Sequence, residues 1–162
     1  MKDDDVLFRS IRGIAYISVA PLILLTASLW FTDDKTAYIL AHLAQIYFSV
    51  LMFFLCGSLF SFRDYDHSYF KSRIIIISLI PLAVAVTGAF FSLFINPAWG
   101  ILLMIVSTFG IRHLKIINSM ISLFDESYND LFDKISIILW ICLVLIFTYW
   151  VNPYTYPLEI YN

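Results

Sequence analysis

The stretch AYILAHLAQIYFSVLMFFLCGSLFSF, Ala37 to Phe62, contains no Asp, Glu, Lys or Arg. A bilayer core about 30 Å thick is crossed by about 20 helical residues, and this run exceeds that length. Near its start His42 and Gln45 stand three apart, which places them on one face of a helix. The rest of the composition points the same way. Of 162 residues 61% are hydrophobic and 14% are charged, whereas soluble domains run nearer about 45–50% and about 25%. A mean hydropathy of +0.86 implies apolar surface that a single small core cannot hide, so the expected solvent is lipid. The formal net charge of -2 points away from nucleic acid, which asks for a concentrated basic surface.

Counting outward from that run predicts an all-α integral membrane protein with five transmembrane helices in one polytopic domain, 1–162. The spans are placed at 13–31, 37–62, 74–95, 97–117 and 135–151. The fourth is the least regular, because its uncharged part ends at Ile111. Extending it to about Ile117 gives adequate length, with Arg112 and Lys115 reaching the headgroups along their aliphatic stems. The alternative lays 112–124 flat on the surface as an amphipathic helix, with Leu114, Ile117, Ile121 and Phe124 on its apolar side. The extended span is preferred.

Basic residues supply a separate check. From the amino terminus onward, counting Arg112 and Lys115 at the inner end of the fourth span with the loop that follows them, the segments between the apolar runs carry 3, 1, 3, 0, 3 and 0 Lys or Arg. Nine of the ten therefore fall on one side, and basic residues are retained in the cytoplasm during insertion. The amino terminus is expected inside, the carboxyl terminus outside, and the membrane is expected to be a bacterial inner membrane. Trp30, Trp99 and Trp150 all fall at predicted outer ends, where an indole keeps its ring apolar and its N–H wet. Trp140 departs from this pattern. The first apolar run is longer than a signal-peptide core of about 7–15 residues and lacks a small-residue cleavage pattern, so it reads as a retained span.

Three stretches carry a family resemblance: GIAYISVAPLILL in the first span, YFSVLMFFLCGSLFSF in the second and ISLIPLAVAV in the third. Together they resemble the membrane family catalogued as domain of unknown function 3429, which includes the eukaryotic transmembrane protein 69. The resemblance covers Gly13 to Val86. Tyr47, Phe54, Leu55 and Gly57 match the second-span pattern. Leu59, Phe60 and Ser61 stand where the family tends to have His, Trp and Gly, and Val84 or Ala85 replaces a third-span tryptophan. The resemblance implies a multi-pass membrane fold and brings no established reaction.

Candidate sites are few. Pro21 and Pro81 sit mid-span, where each removes a backbone hydrogen bond and bends its helix. Gly57 with Ser61, Ala83 with Thr87, and Ala85 with Ala89 are small pairs four apart, the usual close-packing device in lipid. His42 and Gln45 form the candidate polar intramembrane pair, and an interhelical hydrogen bond is their expected role. Cys56 and Cys142 lie in apolar runs as small packing residues. Asp64, Asp66 and His67, and the later Asp125, Glu126, Asp130 and Asp133, read as solvated charge rather than metal ligands. No cofactor or metal is expected. No phosphate loop, nucleophile elbow or metalloprotease motif occurs, so an enzyme is not expected. The expected role is that of an accessory or assembly factor acting through helix contacts with other membrane proteins or with itself. The alternative is a small transporter or channel using the proline-bent first and third spans.

Overall fold

The computed structural model describes residues 2–60, 71–113 and 126–152, together with Tyr154. They form five helices: α1 (Lys2–Ser28), α2 (Asp34–Phe60), α3 (Lys71–Phe94), α4 (Pro97–His113) and α5 (Glu126–Val151). By length and composition, the apolar parts of two of them, Asp34–Phe54 and Asp133–Val151, suffice to cross a membrane. Shorter apolar stretches occupy Arg12–Ser28, Leu82–Phe94 and Pro97–Val106. The 112–124 alternative, Ser61, and the loop ligands Asp64, Asp66, His67 and Asp125 lie outside the described residues, wholly or in their larger part.

Local chemistry explains the helix ends at the two short turns. The Asp33 carboxylate accepts a hydrogen bond from the Thr36 N–H at 3.3 Å, capping α2 and satisfying one of its free donors. Hydrogen bonds from the Thr36 side chain and backbone hold the Asp33 carboxyl below its ordinary range. At α4 the Asn96 side chain accepts from the Ala98 N–H at 2.9 Å, and Pro97 takes the first helical position, where a missing N–H costs nothing.

The helices pack as a closed ring in which each touches its sequence neighbours and α5 returns to α1. Paired contacts give the directions. Gln45 meets Ser92 while Ser49 meets Ala85, so α2 and α3 run antiparallel. Across the α1–α5 seam the Ile23–Ala27 segment faces Ile138–Leu145, around a cavity of about 200 Å³. Inside the ring are Leu22, Ala41, Phe48, Ile101, Met104, Leu143 and Ile146, all fully buried.

The tightest crossing joins α3 to α4 at two glycines. A Cβ on Gly100 would lie 2.5 Å from the Gly88 carbonyl oxygen and 2.7 Å from the Ser92 nitrogen. Both neighbours are backbone atoms, which cannot move without moving α3. Glycine costs a helix interior about 1 kcal/mol relative to alanine, and the close approach of the two backbones is what it gains here.

Both prolines lie within unbroken helices. The carbonyl that Pro21 leaves without its helical donor is that of Ile17, four residues earlier. One residue on, the Tyr47 hydroxyl donates to the Ser18 carbonyl at 2.7 Å and ties α2 to α1 beside the proline.

Two expectations change in the folded chain. Trp150 does not stand at a wet boundary; it is 1% exposed and packs edge-on against Tyr38 and His42. The cause is helix rotation, which turns position 150 toward α2. Trp30 and Trp99 are exposed at the ends of α1 and α4, and Trp140 is exposed partway along α5. The Ala83–Thr87 pair also faces outward, with the Thr87 hydroxyl bonded to the Ala83 carbonyl of its own helix at 2.7 Å. The small pair that packs is Ala85 with Ala89: Ala85 is buried and Ala89 lies partly buried against the core. Gly57 sits on α2.

Substitution of the two glycines separates backbone from side-chain contact. Gly100→Ala is expected to lower the melting temperature in detergent by the equivalent of about 1–3 kcal/mol of overpacking. Gly88→Ala should cost less, because its nearest obstacle is the Met104 side chain at 2.8 Å and the nearest backbone atom, the Gly100 carbonyl oxygen, stands farther off at 3.1 Å. Equal melting temperatures for both variants would contradict the backbone contact.

Candidate functional site

His42 and Gln45 lie about 12 and 16 Å along α2 from its start at Asp34, at 1.5 Å per residue. They share a face, yet they meet different neighbours. Gln45 is 1% exposed, and its Oε1 accepts a hydrogen bond from the Ser92 hydroxyl of α3. One turn along, the Ser49 hydroxyl donates to the Gln45 carbonyl at 3.1 Å and approaches the Ala85 carbonyl of α3 at 3.4 Å. The interhelical hydrogen bond is therefore present and belongs to Gln45.

His42 turns toward α5 instead. Its ring stands edge-on to Tyr38 at 4.7 Å between centroids and to Trp150 at 5.2 Å. Tyr38 also meets Trp150 at 5.6 Å, and Tyr149 meets Trp150 at 5.4 Å. Four rings from two helices thus form one aromatic cluster beside the α1–α2 turn. Edge-to-face contacts of this kind contribute about 0.5–1.5 kcal/mol beyond area burial.

Among the described residues, no group satisfies three buried polar atoms of this cluster, His42 Nδ1, the Tyr149 hydroxyl and Trp150 Nε1, nor Gln45 Nε2 on the side facing α3. An unsatisfied buried donor costs about 1–3 kcal/mol, so four together are unusual in a packed interior. Among the described residues no three His, Cys, Asp or Glu side chains gather as a metal would require. Asp130 is exposed and pairs with Lys134 at 2.5 Å, and that carboxylate raises the Lys134 pKa. Cys142 is free and buried beside Thr26 at the α1–α5 seam. What the His42–Gln45 face offers chemically is hydrogen-bond donors in an aromatic, neutral setting.

Sequence reasoning missed Ser92, Tyr149 and Trp150 as members of this site. Ser92 had a signal, since Gly88 and Ser92 are themselves a small pair four apart. The aromatic pair had none, because inward orientation at the end of an apolar helix is not encoded locally.

No family model, no curated protein and no solved structure matches this chain. The resemblance to the domain of unknown function 3429 family rests on the three quoted stretches alone.

Removing one partner at a time distinguishes the roles. Ser92→Ala leaves the Gln45 amide with no partner and should cost about 1–3 kcal/mol. Adding Gln45→Leu to it should recover much of that loss, because the buried amide disappears along with its unmet bonds. His42→Leu and Gln45→Leu should add within about 0.5 kcal/mol, since the two side chains share no partner. Melting temperatures of the single and double variants in detergent measure both, and a double variant no worse than the single ones would show that the pair acts as a unit.

Proposed function

We propose that this chain is an integral membrane protein of five spans that works without catalysis, as an accessory or assembly factor contacting other membrane proteins or a second copy of itself. The observation that carries the reading is the outward face of the bundle. Large apolar side chains are exposed on every helix: Ile17 on α1 at 72%, Phe54 on α2, Phe94 on α3 at 68%, Trp99 on α4 and Ile141 on α5. A soluble monomer rarely exposes contiguous apolar surface beyond a few hundred Å². A ring of helices apolar both inside and out suits lipid, where backbone groups are satisfied within each helix.

Orientation follows from the basic residues, with nine of ten on the side of the amino terminus. The α1–α2 and α3–α4 turns then lie outside, beneath Trp30 and Trp99, and a bacterial inner membrane is the setting. The accessory role is supported by a site of neutral donors and aromatic rings, and by the outward small pair Ala83–Thr87, which leaves α3 a place for close approach by another helix.

Topology and partnership are tested separately. A phosphatase active only outside the cytoplasm should be active when fused at Asp34 or after Asn162, and inactive at Asp66 or Asn129. Activity at Asp66 would refute the five-span arrangement. Release of the protein from membranes by alkaline carbonate would refute integration altogether. Extraction in mild detergent should recover stable membrane partners or a homo-oligomer; a lone monomer with solute flux in liposomes would favour a transporter.

A further inference from the structure

We propose that the cluster of Tyr38, His42, Tyr149 and Trp150 is a binding site for a neutral amphiphile that carries carbonyl oxygens on an apolar body. This deepens the membrane reading and rests on it. Two of the orphaned atoms belong to side chains of α5 only 1% exposed, Tyr149 and Trp150. The indole N–H and the phenolic O–H are donors, so the missing partners are acceptors. Across from them on α2, the rings of Tyr38 and His42 are in contact with Trp150.

The charge of the acceptor follows from what stands nearby. No Lys or Arg lies within the aromatic cluster, and Asp34 acts on Tyr149 electrostatically. Lys35 stands beside Asp34 at the start of α2, so the two charges offset each other and leave no net positive field to draw an anion. A neutral carbonyl accepts the same hydrogen bonds and needs no such field. In the proposed orientation the cluster lies in the outer part of the membrane, behind the α1–α2 turn. Two sources place carbonyls at that depth: the glycerol-ester region of a lipid and the head of a membrane quinone. Tyr38 and His42 are the half-buried members, so they form the edge through which a ligand would enter. Their movement would change the surroundings of Trp150.

The test uses the full chain in mild detergent, with Trp30, Trp99 and Trp140 changed to Phe so that Trp150 is the sole indole. Three probes are titrated: a short-chain benzoquinone, a neutral glycerol ester with short acyl chains, and a hydrocarbon of matching length. Saturable change in Trp150 fluorescence with the quinone or the ester, and none with the hydrocarbon, is the expected result, and the responding probe names the source. Tyr149→Phe, which removes one donor while keeping the apolar bulk, should weaken that response about five- to tenfold. Folding of the variant is checked by its melting temperature. The absence of saturation with both carbonyl probes overturns the proposal, as does saturation that Tyr149→Phe does not weaken. Carbonate release tests the membrane reading independently, so the two failures are distinguishable.

Discussion

The contact between Gly100 and the α3 backbone sets the geometry on which the other packing depends. With no side chain on α4 at this point, the two helices approach until the Gly88 carbonyl and the Ser92 nitrogen occupy the space a Cβ would need. This approach seats Ser92 between α4 and α2, and its hydroxyl then reaches Gln45. Three helices are thereby tied through one small residue. A bulkier residue at position 100 would separate α3 from α4, and the alignment of Ser92 with Gln45 would shift with it.

Polar groups in this bundle are handled in two ways. Most hydroxyls return to their own helix. Ser18, Thr26, Ser28, Thr87, Thr108 and Thr148 each donate to the carbonyl four residues earlier, at 2.7–2.9 Å. Such bonds satisfy the hydroxyl but say nothing about neighbours. A smaller set crosses between helices: Tyr47 to Ser18, Ser49 to Ala85 and Ser92 to Gln45. These crossings fix the rotation and height of α2 against α1 and α3, which apolar contact alone leaves loosely specified. The aromatic cluster at α5 is the exception, with donors that neither pattern satisfies.

The apolar runs were legible because hydropathy is summed over many residues and tolerates local noise. Helix ends were less so. α1 extends back through KDDDV to Lys2, and α5 begins at Glu126, nine residues before the predicted span. A helix continues through polar sequence wherever its backbone bonds persist and no breaker intervenes, so a span predicted from hydropathy marks the apolar part of a helix rather than its limits. Gly100 offered a weaker cue: a glycine inside an apolar helix costs stability unless something needs the space.

By itself the sequence determined the order of the helices among the described residues, the proline positions and the presence of small pairs, because each is a property of one segment and its period. Only the tertiary structure decided which face each helix turns inward. Ala85 is buried and Ala83 exposed although both belong to equivalent pairs. His42 and Gln45 share one face of α2 yet divide between α5 and α3. Trp150, placed by sequence at a boundary, became the centre of a buried cluster. A helix apolar on all sides carries almost no moment to orient it, so its rotation is set by the shapes and hydrogen bonds of its neighbours.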